Sequence, residues 1–315
     1  GVVADMALVN ALLRQGKVDE ALKAIAALEK KRPADALPVF LRGRALLQKR
    51  DTAGARKAME QVLKIDQDYF PAVGLLAALD SSEKKPDEAR ARLEAAIKRQ
   101  PANVQAYQML LELRASQGAD KAEQVGILRR AMEGAPNSPV PALLLTEFFL
   151  RGGENKEALA VAQKAVAALP DNVQLLDALG RAQSANGEHN QAQASFNRMQ
   201  SLQPQSAVPY LRMASASLIA GDRAAADKSL RKALEVDPRS LEAQQGLASL
   251  AMEDKKPDEA LAIARTLQKQ RPKEQVGYVL EGQIHAAAKA WDKAAEILRT
   301  GMKEVGSPEL AIRLH

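Results

Sequence analysis

The residues most able to do chemistry in this sequence are three histidines, His189, His285 and His315, and adjacent carboxylates such as Asp19-Glu20. The histidines are far apart along the chain, and a lone histidine fixes neither a metal ion nor a nucleophile. The acidic pairs stand where helices are predicted to begin, and there negative charge complements the helix dipole. The chain has no cysteine, and phosphate-loop and G-x-S-x-G motifs are absent. We therefore predict that the protein is not an enzyme and uses no metal or cofactor.

A period of 34 residues runs along the 315-residue chain and is marked by proline. The prolines that keep this spacing, with one interval of 35, are Pro101, Pro136, Pro170, Pro204, Pro238 and Pro272. Such a period in a helix-rich sequence is typical of stacked helical hairpins. Nine repeats are predicted, beginning at residues 2, 36, 70, 104, 139, 173, 207, 241 and 275. The sequence therefore predicts an all-α fold, a right-handed superhelical solenoid of helix-turn-helix repeats that forms a single array over residues 1–315.

Each repeat is predicted to contain a first helix, a turn and a second helix. The turn carries glycine in five repeats, at Gly16, Gly118, Gly153, Gly187 and Gly221. Pro86 and Pro257 stand where second helices begin, a position that tolerates proline. Residue 20 of the repeat is alanine in every repeat but the fourth, which has Gln124. So small a side chain is what a close helix crossing requires.

These features resemble the tetratricopeptide repeat, which has small residues at positions 8 and 20, a large residue near position 4 (Tyr107, Tyr210 and Tyr278) and proline at position 32. Three segments, residues 66–101, 267–282 and 307–315, are further similar to the TPR-repeat lipoproteins of the PEP-CTERM/exosortase system. Those bacterial proteins are encoded beside exopolysaccharide genes. That resemblance implies a periplasmic, outer-membrane-associated location in a Gram-negative bacterium. It also implies a lipid anchor on an N-terminal cysteine outside this chain.

Charge and hydropathy narrow the classes of partner. The chain has 45 basic and 39 acidic residues, a formal charge of +6, and these are interspersed rather than gathered into a basic stripe. We therefore expect no nucleic-acid binding. The sequence contains no run of about 18 apolar residues, the pattern that would predict a membrane span. Because residue 1 leads straight into a predicted helix and another helix is predicted to begin near the end of the chain, we expect this to be a fragment of a longer protein.

In tetratricopeptide repeats, positions 2, 5, 9, 12 and 13 of the first helix face a concave groove, and this resemblance gives the candidate binding residues. The predicted partner-binding residues are Arg14, Phe40, Arg44, Gln48, Leu143, Glu147, Arg151, Asp177, Arg181, Leu211, Ser215 and Leu218. The hypothesis is that a protein or peptide partner lies in this groove, with apolar contacts supplying affinity and charges supplying register. The alternative is that the apolar residues pack against neighbouring repeats and the charges only keep the groove hydrated.

The leading functional prediction is a non-catalytic protein-binding scaffold in exopolysaccharide export or PEP-CTERM envelope sorting. Direct polysaccharide binding is the alternative, although the groove positions supply a single aromatic residue, Phe40. Trp291 is predicted to cover the end of the array. Asn10 alone matches the carboxylate clamp of chaperone-binding tetratricopeptide domains, so capture of a chaperone's acidic tail is not expected.

Overall fold

The computed structural model describes residues 2–306, and within them the chain forms eighteen helices and no strand. The helices alternate as the first and second members of nine hairpins. The first helices are α1 (Val2–Arg14), α3 (Ala36–Gln48), α5 (Phe70–Ser82), α7 (Val104–Ser116), α9 (Val140–Arg151), α11 (Val173–Ala185), α13 (Val208–Ile219), α15 (Leu241–Glu253) and α17 (Val276–Ala287). The second helices are α2 (Val18–Lys31), α4 (Thr52–Ile65), α6 (Pro86–Arg99), α8 (Lys121–Gly134), α10 (Asn155–Ala168), α12 (His189–Leu202), α14 (Arg223–Val236), α16 (Pro257–Gln270) and α18 (Trp291–Val305). The helix predicted within residues 307–315, and with it His315, lies outside the described residues.

The chain divides into two compact units, an N-terminal unit of residues 1–145 and a C-terminal unit of residues 146–315. In the N-terminal unit each helix from α1 to α8 packs against the next one along the chain. The same holds in the C-terminal unit from α10 to α18. Each unit is therefore a stack of hairpins held by contacts between neighbours, as in other repeat proteins. A single array over residues 1–315 remains a prediction.

The alanine at position 20 lies in the core of the repeat. Seven of these alanines are fully buried, with 0% exposure: Ala21, Ala55, Ala89, Ala158, Ala192, Ala226 and Ala260. A side chain that ends at Cβ lets the backbones of two helices approach closely. The burial of this column in seven repeats agrees with the predicted close crossings.

The turn between the two helices of each hairpin has one residue in the left-handed region. This residue is glycine in the five repeats where glycine was predicted to form the turn, with φ between 73° and 81°. The other four repeats use Arg50, Lys84, Lys255 and Lys289 at the same repeat position, with φ between 58° and 64°. The turn is therefore the same in all nine hairpins, and the backbone strain falls on four basic residues.

Helix starts follow the predicted register closely. Pro86 and Pro257 are the first residues of α6 and α16, as predicted. Three first helices begin one residue later than the repeat does, at Val140, Val208 and Val276. Two of these starts follow a serine whose hydroxyl accepts a hydrogen bond from the first helical N–H, an arrangement that sets the helix start locally.

Candidate binding surface of the first helices

The positions predicted to line a groove are, in most repeats, the ones that the first helices leave accessible. Of positions 2, 5, 9, 12 and 13 within the described first helices, only three residues are buried, namely Gly74, Ser184 and Leu211. These helices therefore offer a surface made largely of the predicted residues. The two compact units carry different parts of this surface.

In the N-terminal unit, Arg14, Arg44 and Gln48 are exposed. The Gln48 side chain donates a hydrogen bond from Nε2 to the Leu13 carbonyl at 3.1 Å, which links the C-terminal ends of α3 and α1. Arg44 precedes Gln48 by one helical turn, so the two side chains share a face of α3. Arg14 follows the residue to which Gln48 is bonded. These three predicted residues therefore lie on one surface.

The other two predicted residues of this unit are less accessible. Phe40 is half-buried, and its ring centroid lies 5.2 Å from that of Tyr69 at an interplanar angle of 58°. Tilted ring pairs at this separation are favourable, so Phe40 contributes to packing as well as to the surface. Leu143 is half-buried.

In the C-terminal unit the predicted charges pair with one another. Glu147 accepts hydrogen bonds from Arg151 at 2.9 Å and from Arg181 at 2.8 Å, joining α9 to α11. The hydrogen bond from Arg181, with that from Arg151 adding to it, holds the pKa of Glu147 below its ordinary value of 4.5. The carboxylate is therefore ionised at neutral pH and is shared between two guanidinium groups.

Asp177 has a partner that the sequence reasoning missed. It accepts a hydrogen bond at 2.5 Å from Nε of Arg212 on α13. Arg212 occupies position 6 of its repeat, outside the positions assigned to the groove. The sequence feature that could have predicted this pair is the opposite charge of Arg212, which follows Asp177 by 35 residues, or one repeat length plus one residue. The surface of α9, α11 and α13 therefore carries a row of internally compensated charges.

The exposed apolar part of this surface lies on α13. Val208 is 42% exposed, Leu218 45% and Ile219 60%, and Ser215 is also exposed. Leu211, predicted to line the groove with them, is instead only 9% exposed and packs in a core cluster of α13, α14 and α15. As placed here, Leu211 supports the helix rather than offering surface to a partner.

The remaining candidates for chemistry are dispersed. His189 is the first residue of α12, whereas His285 lies on α17, with Nε2 3.7 Å from the Glu281 carboxylate. The described residues contain no group of three or more acidic or histidine side chains placed to hold a metal ion. None of the helices in residues 2–306 has both the length and the apolar character that crossing a bilayer requires.

Trp291 does not have the packing role predicted for it. It is the first residue of α18 and is 65% exposed, so among the described residues it does not cover the end of the stack. The indole is accessible beside the turn that contains Lys289.

Comparison with known families agrees with the hairpin geometry. One family model, described as a tetratricopeptide repeat, matches residues 6–70. A second model of the same description matches residues 46–113 and 217–281, and together the matched segments cover more than half of the chain. The chain belongs to the tetratricopeptide repeat family. Tetratricopeptide repeat proteins act as protein-binding scaffolds, and their fold is generally non-catalytic.

One solved structure shows the same fold, and two others are more weakly similar. A tetratricopeptide repeat protein from Parabacteroides merdae is 19% identical and covers 79% of this chain and 97% of its own, with a TM-score of 0.51. MamA is 20% identical over 52% of this chain and 89% of its own, with a TM-score of 0.41. YrrB, described as having an unusual peptide-binding site, is 17% identical over 59% of this chain and 96% of its own, with a TM-score of 0.39. No curated protein sequence matches the chain. This tetratricopeptide repeat protein is thus an all-α solenoid of hairpins.

Proposed function

We propose that this tetratricopeptide repeat protein is a non-catalytic scaffold that binds a protein or peptide partner along the concave groove of its first helices. The observation that carries the proposal is the exposed apolar end of α13, where Leu218 and Ile219 adjoin exposed Ser215. Fully burying a side chain of this kind stabilises a complex by about 1.5–3 kcal/mol. The neighbouring paired charges supply polar contacts that would fix the register of the partner.

The test replaces the apolar end of α13 while leaving its core contacts alone. The double variant Leu218→Asp with Ile219→Asp should abolish retention of the native partner in pull-downs from the source cell. The matched control is Leu202→Asp, because Leu202 is comparably exposed, at 40%, but lies at the end of a second helix. Helicity of both variants is checked by circular dichroism. Equal retention by the double variant and the wild type would refute the proposed surface.

We further propose that the scaffold works in the envelope, in exopolysaccharide export or PEP-CTERM protein sorting. Its support is the resemblance of residues 66–101, 267–282 and 307–315 to lipoproteins of that system. Under this proposal the full-length protein is periplasmic and carries a lipid on a cysteine outside this chain. Cell fractionation and metabolic labelling with a fatty-acid analogue test both points. Recovery of the unlabelled protein in the cytosolic fraction would rule out this setting.

Direct polysaccharide binding is a second candidate, favoured by one observation. The sole tryptophan, Trp291, is 65% exposed, and an accessible indole is a suitable platform for a sugar ring. Because there is no other tryptophan, intrinsic fluorescence reports on this site directly. Titration with the secreted polysaccharide should shift the emission if sugar stacks on the indole, and Trp291→Ala should abolish retention. An unchanged spectrum at saturating polysaccharide would eliminate Trp291 as the platform.

A further inference from the structure

Two arginines of the N-terminal unit differ from the other arginines on first helices. Within residues 2–306, neither Arg14 nor Arg44 forms an ion pair, and both are exposed. Every other arginine on a described first helix is paired with an acidic side chain: Arg42 with Glu29, Arg114 with Glu123, Arg151 and Arg181 with Glu147, and Arg212 with Asp177. Within the described residues, no ion pair therefore neutralises the positive charge of Arg14 or Arg44.

The contrast with Arg42 shows that the surroundings cause this difference. Arg42 and Arg44 are two residues apart on α3 and so point to different sides of the helix. Arg42 reaches Glu29 and Gln61 on the flanking second helices, at 3.0 Å and 2.6 Å. Arg44 lies on the face of Phe40 and Gln48 and forms no ion pair with any described residue.

Acidic residues are missing from the predicted groove positions of the first three repeats. At positions 2, 5, 9, 12 and 13 of α1, α3 and α5 there is no aspartate or glutamate. The acidic residues that these helices do carry are engaged elsewhere: Asp5 with Lys31 at 2.8 Å, and buried Asp80 with Arg56 and Arg92. At these positions the first three repeats therefore carry positive charge only.

We name as the arginine patch the side chains of Arg14, Arg44 and Gln48. The patch is held together by Gln48, whose Nε2 donates a hydrogen bond to the Leu13 carbonyl and so links the ends of α1 and α3. The Gln48 Oε1 accepts no hydrogen bond from the described residues and can accept one from a peptide N–H. A guanidinium group binds a carboxylate through two parallel hydrogen bonds, with a geometry that lysine lacks. The patch thus offers two carboxylate sites beside one amide acceptor and the half-buried ring of Phe40.

We propose that the arginine patch binds an acidic peptide segment of the partner, with its carboxylates on Arg14 and Arg44. This inference rests on the proposed function, since it assigns a chemistry to the partner of the same groove. Two arginines without a wider basic stripe suit a short acidic segment rather than a nucleic acid, which requires many phosphate contacts. In the C-terminal unit the row of Glu147 and Asp177 pairs already satisfies its arginines, so the acidic segment is specific to the N-terminal unit.

The experiment measures the affinity of the full chain for two dye-labelled decapeptides by fluorescence anisotropy. One peptide alternates glutamate and leucine, and the other has glutamine at every glutamate. The acidic peptide should bind at least about tenfold more tightly, a difference of about 1.4 kcal/mol, and higher salt should weaken that binding. The double variant Arg14→Gln with Arg44→Gln should remove this preference. The control Arg198→Gln changes an exposed arginine on a second helix that is already paired, with Asp171, and should keep it.

The outcomes separate this inference from the proposed function. Equal binding of the two peptides, or an unchanged preference in the double variant, overturns the arginine patch. If partner retention then still depends on Leu218 and Ile219, the scaffold proposal stands and only the acidic chemistry fails. Loss of partner retention in Arg14→Gln with Arg44→Gln, together with a lost peptide preference, supports both. Circular dichroism establishes that each variant remains helical.

Discussion

Glu147 and Arg181 occupy the same position in consecutive repeats, 34 residues apart, and their side chains meet at 2.8 Å. Because the hairpins stack, two residues separated by one repeat length are in direct contact between α9 and α11. The Arg181 guanidinium, together with that of Arg151, keeps Glu147 ionised by lowering its pKa. The contact joins two neighbouring hairpins of the C-terminal unit, and this gives it a measurable share in stability.

Stability of the protein should depend on pH through this carboxylate. Because the folded-state pKa of Glu147 lies below 4.5, its contribution is fully present above pH 4.5 and is lost as the pH falls through the lowered value. Glu147→Gln should lower the free energy of unfolding at pH 7 by about 1 kcal/mol or less, since the pair is partly exposed. That difference from the wild type should shrink below pH 4.5. Urea denaturation at several pH values measures it. The control is Glu296→Gln, because Glu296 lies mid-helix on α18 and forms no ion pair with any residue that the structure describes.

The basic residues whose backbone lies in the left-handed region are positions where substitution by glycine is expected to stabilise the protein. A residue other than glycine in this conformation costs about 1–2 kcal/mol, and glycine recovers part of this after its own entropic cost. Lys84→Gly and Lys255→Gly should each raise the free energy of unfolding by about 0.5–1 kcal/mol. The reverse change, Gly118→Lys, should lower it by a similar amount. Chemical denaturation of the three variants provides the comparison, and destabilisation by both glycine substitutions would contradict the strain argument.

Much of this architecture can be predicted from the sequence, because the 34-residue period determines which residues occupy equivalent positions in successive repeats. The alanine column and the glycine turns give the hairpins and their boundaries to within one residue, as at Val140. The repeat register also predicts which first-helix positions are accessible. What it does not give is side-chain pairing, because a long arginine can reach beyond its own column. Arg212 illustrates this, because it pairs with Asp177 although position 6 of the repeat is not one of the positions predicted to line the groove.

Burial of individual groove positions is equally hard to read from the register. Leu211 and Leu218 both occupy predicted groove positions on α13, yet they are 9% and 45% exposed. The difference arises from the neighbours, because Leu211 is packed with the buried leucines of α14 and α15. Those contacts depend on how far adjacent hairpins are rotated, a quantity that the repeat length leaves undetermined.

A buried acidic residue holds three helices of the N-terminal unit together. Asp80 on α5 has a side chain only 3% exposed and accepts hydrogen bonds from Arg56 on α4 at 2.7 Å and Arg92 on α6 at 3.0 Å. Asp80→Asn should lower the free energy of unfolding by about 2–4 kcal/mol, because it removes a buried charge shared by two partly buried guanidinium groups. Arg56 keeps a second partner in Glu83, whereas Arg92 has no other acidic partner among the described residues. Asp171→Asn is the matched control.

The Asp171 pair with Arg198 has similar geometry at 2.9 Å but a carboxylate that is 73% exposed. Its loss should cost about 0.5 kcal/mol or less. Comparable costs for the two substitutions would show that burial does not set the energy of these ion pairs.

The last prediction concerns the close crossing of α11 and α12. A Cβ on Gly180 would lie 2.3 Å from the ring of Phe196, which is itself only 1% exposed. Gly180→Ala should therefore lower the free energy of unfolding by about 1–3 kcal/mol through overpacking, although alanine is the better helix former. Gly126→Ala on α8, where a Cβ would meet nothing within 4 Å, should instead stabilise the protein by up to about 1 kcal/mol. Combining Gly180→Ala with Phe196→Leu should cost less than the sum of the two single changes, because the smaller side chain relieves the clash. Additive costs in that cycle would mean that the clash with Phe196 is not what excludes a side chain at residue 180.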